Sequence, residues 1–161
     1  MIGHLTDRRT MFIAHISGAS IALVIGGYQF FPKMRNKHRA RHRWLGRVYG
    51  ISILIGGVSG FFIAFGVAGG PIAASGFAIL AVLWLFTTGM AVRFAMRREI
   101  SDHRHWMIRS FALTFAAVTL RIYLLFFMVA DFTYTEASLY IAWMCWVPNL
   151  IFAEWWLRRK G

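Results

Sequence analysis

Apolar and polar positions divide the chain into five long apolar runs, 11–31, 48–67, 73–94, 107–130 and 139–157, separated by short gaps. A helix crossing about 30 Å of hydrocarbon needs roughly 20 mostly apolar residues, and each run is close to that length. None of the runs alternates with a period of two, and all exceed the roughly 9–11 residues of a membrane barrel strand, so they are expected to be helices. The pattern predicts an all-α integral membrane helical bundle of about five transmembrane helices, forming one domain over residues 1–161.

The gaps differ in chemistry. "AGGPIAAS" and "ADFTYTEAS" are a turn and a weakly acidic loop, and Pro71 breaks any helix running through the first. The gaps at 32–47 and 93–109 and the tail "WWLRRKG" are strongly basic. Lys and Arg collect in cytoplasmic loops because they resist translocation, so all three are expected on the cytoplasmic side. Alternation through five helices then puts the N-terminus outside and the C-terminus in the cytoplasm. One consequence is awkward, because Arg8 and Arg9 must then face outward. "MIGHLTDRRT" has neither the apolar core nor the cleavage site of a signal peptide, and an additional helix upstream is expected in related chains.

Composition supports this picture. Hydrophobic residues make up 58% of the chain and charged ones 15%, against about 25% charged in a soluble domain. The net charge of +12 would fit nucleic acid if it were spread over a surface. Confined to short gaps beside tryptophans, it fits attraction to anionic lipid at the cytoplasmic face, worth about 1 kcal/mol per basic residue. Nucleic acid is therefore not an expected partner. The single cysteine, Cys145, excludes an internal disulfide.

A short repeat is visible. "HRWLGR" precedes the second helix and "HRHWMIR" the fourth, each after a basic gap, so the chain reads as two similar hairpins plus a fifth helix. Together with "HISGASIALVIGGYQF", "HRHWMIRSFALTFAAVTLRIY" and "WVPNLIFAEWW", these strings resemble an uncharacterised bacterial multi-pass membrane family catalogued as a domain of unknown function. The resemblance spans about residues 15–155 and implies the architecture but no activity.

Three constellations carry candidate chemistry. Haem b would need imidazoles from different helices at one depth. His15 sits in the first helix without an equivalent partner, although Met128 lies near the same side. His42 and His103 sit at the inner ends of helices two and four, with Arg43 and Arg104 placed for propionates. A metal site from His38, His42, His103 and His105 has suitable spacing, but adjacent arginines repel a dication and Asp102 is the only close carboxylate. Arg121 lies inside the fourth apolar run, where a charge costs at least about 2.5–3.5 kcal/mol and so is paired or functional. Asp131, Glu136 and His15 are its candidate partners, and the alternative is an anion or cofactor site.

Other features read as packing. Glu154 is placed to neutralise the basic end, with Arg47 and Arg109 among its neighbours, and Asn149 to hydrogen-bond between helices. Pro148 is expected to kink the fifth helix. Gly56 and Gly60 form a GxxxG pair suited to close helix approach, and Trp44 and Tyr49 mark the membrane boundary. No P-loop, GxSxG or HExxH motif is present, and acids are scarce. The favoured reading is a non-catalytic or accessory component of a larger membrane complex. The alternatives are a haem- or metal-binding redox protein, and a small transporter or sensor built on Arg121.

Overall fold

The structure, a computed structural model, describes residues 2–30 and 38–160, with the side chains of 2–7 and 160 excepted. Lys33, Arg35 and Lys37 of the first basic gap lie outside the described residues. Helices are the regular elements of the described chain: α1 (Ile2–Gln29), α2 (Arg39–Ala64), α3 (Gly70–Met96), α4 (Ile100–Thr114), α5 (Ala116–Val129), α6 (Tyr134–Met144) and α7 (Val147–Lys160). Only Phe115 separates α4 from α5, and Cys145 and Trp146 separate α6 from α7, so seven helices form five rods.

Four rods are long and apolar enough to cross a membrane: Arg8–Gln29, Arg39–Ala64, Gly70–Met96 and Ile100–Val129. The fifth has the expected position, but its halves are only 11 and 14 residues long. The helices also start earlier than the apolar runs do. The stretch Arg39–Arg47 is the first part of α2, and Ile100–Met107 is the first part of α4. Backbone hydrogen bonding carries a helix past the hydrocarbon edge, and no Pro or Gly interrupts these charged turns before Gly46. The basic gaps are thus mostly charged helix ends.

The two hairpins predicted from the repeat are present, α1 against α2 and α3 against α4. α2 packs on α3, and the fifth rod packs on α3, α4 and α5. At the core are Tyr49, Ile53, Trp84, Leu113, Ala116, Ile141, Cys145 and Trp146. Lipid offers no hydrophobic drive between helices, so close backbone packing must hold them. α1 meets α2 through Gly18, Gly56 and Gly60. A Cβ on Gly18 would lie 2.6 Å from the Ser52 carbonyl oxygen and 2.9 Å from the Gly56 nitrogen. A Cβ on Gly60 would lie 2.7 Å from His15 Nδ1.

Helix ends follow local rules. Pro71 sits in the first turn of α3, where its missing N–H removes nothing, after Gly69 and Gly70 turn the chain at φ +101° and +64°. α6 starts with a capping box: the Thr133 backbone N–H and hydroxyl donate to Glu136 Oε2 at 2.9 and 2.7 Å, and the Glu136 N–H reaches the Thr133 hydroxyl at 3.4 Å. These bonds hold the Glu136 carboxyl below its ordinary pKa. The cap therefore acts fully above the ordinary carboxylate range and is lost as pH falls through the lowered value.

Replacing Gly18 with Ala should lower the melting temperature in mild detergent by several degrees, a cost of about 1–3 kcal/mol for forcing two backbones apart. Gly27→Ala is the control, since its nearest new contact is an ordinary 3.9 Å to Phe111, and it should melt at or above wild type.

Candidate functional site

The polar groups inside the bundle come from residues placed one turn apart on single helix faces. Trp84 and Thr88 are four apart on α3, Ser110 and Thr114 four apart on α4, and Tyr49 projects from α2 between them. All five are buried, and Ser110 and Tyr49 are 0% and 1% exposed. Tyr49 Oη lies 2.9 Å from Ser110 Oγ and 3.1 Å from Thr114 Oγ1. Trp84 Nε1 donates to Thr114 Oγ1 at 2.8 Å, and Thr88 Oγ1 and Ser110 Oγ are 2.7 Å apart.

Every proton in this cluster has a destination. The Thr114 hydroxyl donates back to the Ser110 carbonyl and the Thr88 hydroxyl to the Trp84 carbonyl. Ser110 is then the donor to Thr88, the indole donates to Thr114, and the phenol hydroxyl gives its single proton to Ser110 or Thr114. Such a closed set has no donor left for a ligand. Sequence reading missed the cluster and assigned Tyr49 to the membrane boundary. Tyr49 faces the core at 1% exposure, whereas Trp44 is 62% exposed at the helix end. The available signal was the i,i+4 spacing of polar groups in otherwise apolar runs.

A second polar group holds the broken rods together. The Asn149 amide nitrogen of α7 lies 2.8 Å from Thr119 Oγ1, 3.0 Å from the Cys145 carbonyl and 3.3 Å from the Ala112 carbonyl. Ala112 and Thr119 flank the break at Phe115, and Cys145 is at the break before α7. A side chain inserted into the backbone ladder is a known cause of such breaks. Pro148, expected as a kink, sits in the first turn of α7, and the rod breaks just ahead of it at Cys145–Trp146. About one turn nearer the basic end, Arg109 pairs with Glu154 in a two-pronged bridge, Nε–Oε1 at 2.5 Å and Nη2–Oε2 at 3.0 Å. Arg109 also lies over Trp106, 4.8 Å from the ring centre. Arg47 is exposed and outside this bridge.

The histidines are spread along the bundle. His15 donates from Nδ1 to the Gly56 carbonyl at 2.7 Å, and His103 from Nδ1 to the Ala91 carbonyl at 2.8 Å. Each ties its helix to a neighbour, one between α1 and α2, the other between α4 and α3. His38 is exposed just ahead of α2, Arg43 is exposed on α2, Arg104 is exposed on α4, and His42 and His105 are half-buried. Among the described residues, no three His, Cys, Asp or Glu gather closely enough to hold a metal ion. Two clefts on the surface are shallow. One, of about 310 Å³, is lined by Arg8, Phe12, Phe62 and Gly66, and the other, of about 430 Å³, by Trp146, Leu150, Glu154 and Trp155. Neither contains a histidine.

Arg121 does not meet its expected partners. It is exposed on the outer face of α5 and donates from Nη1 to the Ala117 carbonyl of its own helix at 2.5 Å. Glu136 is engaged in the cap of α6 and His15 is turned to Gly56. Among the described residues the one ion pair is Arg109–Glu154.

Thr114→Val keeps the shape but strands the Trp84 indole donor, and should destabilise the detergent-solubilised protein by about 1–3 kcal/mol. Tyr49→Phe removes a donor without stranding another and should cost less, near 0.6–1.5 kcal/mol. Thermal or denaturant unfolding of the two variants orders these costs.

The comparisons agree with the architecture. Residues 12–157 match the family described as predicted membrane protein, DUF2306. No curated protein and no solved structure matches the chain. With nearly its whole length covered, from the first spanning helix to the last turns of α7, the chain belongs to the DUF2306 family of membrane proteins.

Proposed function

We propose that this protein is a non-catalytic subunit of a larger membrane complex. The observation that carries this reading is a contrast between inside and outside. In the cluster of Tyr49, Trp84, Thr88, Ser110 and Thr114 every hydroxyl and indole donor is used within the chain, while the charged Arg121 faces outward from an apolar helix. A catalytic centre keeps polar groups available to substrate. Here the cluster at the centre of the bundle offers no free donor, and the charge of Arg121 is on the outer surface, where another protein meets it.

In this reading the bundle sits in a bacterial inner membrane with its N-terminus outside and its C-terminus cytoplasmic. The supporting geometry is that the basic ends lie together. Contacts of Tyr49 with Ser110, of His103 with Ala91 and of Arg109 with Glu154 align α2, α3, α4 and α7 so that the basic residues of 39–47, 93–109 and 158–159 share one end. That end is suited to anionic phospholipid headgroups.

A second reading, a membrane redox protein with haem b, has one observation in its favour. His15 and His103 each donate Nδ1–H to a backbone carbonyl, which leaves the Nε2 lone pair as the group able to ligate a metal.

Gentle extraction at native expression should give a particle well above the 18.4 kDa of the chain and its detergent belt, containing other membrane proteins in fixed ratio. A monodisperse monomer would sink the subunit reading. A pyridine-haemochrome spectrum of the same sample decides between the readings, and the subunit reading expects no Soret band. For orientation, a green fluorescent protein fused after Gly161 should fluoresce, and alkaline phosphatase fused there should be inactive.

A further inference from the structure

We propose that the outer face of α5 around Arg121 docks a transmembrane helix of another protein, and that this helix carries an Asp or Glu near the middle of the bilayer. The inference rests on the reading of the chain as a complex subunit and names the chemistry of its partner.

Depth comes first. If the Arg109–Glu154 bridge, with Trp106 beside it, marks one edge of the hydrocarbon, then 20 residues of helix, about 30 Å, reach to Val129 at the other. Arg121 is 12 residues from the first edge and 8 from the second, about 18 and 12 Å by helix rise. Long basic side chains near an edge normally reach toward it. Arg121 instead turns away from the nearer edge, back to the carbonyl of Ala117, four residues closer to the basic end. Its guanidinium thus lies close to the bilayer middle. That contact uses one of its five N–H donors.

The face itself is outward and apolar. Leu125 and Val129 continue the line of Arg121 at four-residue steps and are 66% and 77% exposed, with Ile122 and Phe126 beside them. Exposed Leu and Val suit lipid tails as well as protein. A buried guanidinium does not suit lipid, so the charge selects the occupant.

Three occupants compete. A phospholipid phosphate lies at the membrane surface, roughly half a bilayer from the guanidinium. A second copy of this chain in the same orientation offers no carboxylate at that depth. Glu154 is level with Arg109, Glu99 and Asp102 precede it on the basic side, Asp131 and Glu136 follow Val129, and Asp7 precedes the span Arg8–Gln29. A foreign helix bearing a mid-membrane Asp or Glu satisfies both depth and charge. Arg presents a planar fork that takes a carboxylate in two-pronged geometry, as Arg109 does with Glu154.

The test uses the full chain in its native host. A photo-crosslinking amino acid at Leu125, one turn from Arg121 on the same face, should capture a protein whose crosslinked peptide lies in an apolar span containing Asp or Glu. The same probe at Val24, 72% exposed on α1, should not capture that peptide. Arg121→Leu, on an exposed position, should leave the melting temperature of the isolated chain unchanged and reduce the co-purified partner by about tenfold or more, with Arg121→Lys retaining most of it. A crosslink only to lipid, to a second copy of this chain or to a span lacking an acid would overturn the inference. So would an Arg121→Leu chain that keeps its partner, an outcome that leaves the subunit reading intact. Only the absence of any complex from wild type would remove both.

Discussion

Hydrocarbon supplies no hydrogen-bond partners, and this bundle depends on how it satisfies that constraint at the contact of Tyr49, Trp84 and Thr114. An unpaired indole or phenol donor there would face apolar side chains on every side. Three helices must be in register for the donors to find acceptors, because no solvent can substitute when they slip. Ser110 and Thr88 extend the same closed set by one turn on each helix. Glycine contacts bring the helices close, but apolar surfaces slide on one another with little penalty. The hydroxyl and indole bonds are what select one register among many.

The same constraint accounts for the irregular parts. Breaking a helix in lipid exposes carbonyl and N–H groups, so breaks occur where side chains replace the missing partners. Asn149 serves two broken rods at once, reaching the Ala112 carbonyl near one break and the Cys145 carbonyl at the other. The hydroxyls of Thr114 and Thr119 bond the Ser110 and Phe115 carbonyls on either side of the α4–α5 break. Glu154 and Arg109 meet nearer the basic end, where each neutralises the other, and the pair couples α7 to α4. Arg121 is where the rule is left unfinished within the single chain.

Much of the fold was legible in the sequence because membrane helices announce themselves by length. A run of about 20 apolar residues has one good solution in a bilayer, and four of the five expected runs lie in rods that meet that criterion. The fifth does not, because Pro148 and Asn149 divide it into two short halves. Boundaries were less legible. Apolar runs report the hydrocarbon edge, whereas helix hydrogen bonding continues through Arg39–Arg47 and Ile100–Met107, where charge rather than periodicity dominates the reading. Membership of DUF2306 agrees with the strings that had pointed to a membrane family of unknown function.

By itself the sequence determined a membrane bundle of helical hairpins, its basic gaps, the close-packing glycines and the isolated intramembrane arginine, because hydropathy and charge are properties of residues taken one at a time. Only the tertiary structure decided which polar groups meet. It turned Tyr49 inward to the core, turned His15 and His103 to neighbouring carbonyls, joined Arg109 to Glu154 and left Arg121 facing outward. Those outcomes depend on helix rotation about its own axis. One helix can present any of its faces inward at nearly equal apolar burial, and the choice is made by hydrogen bonds among three or more helices at once.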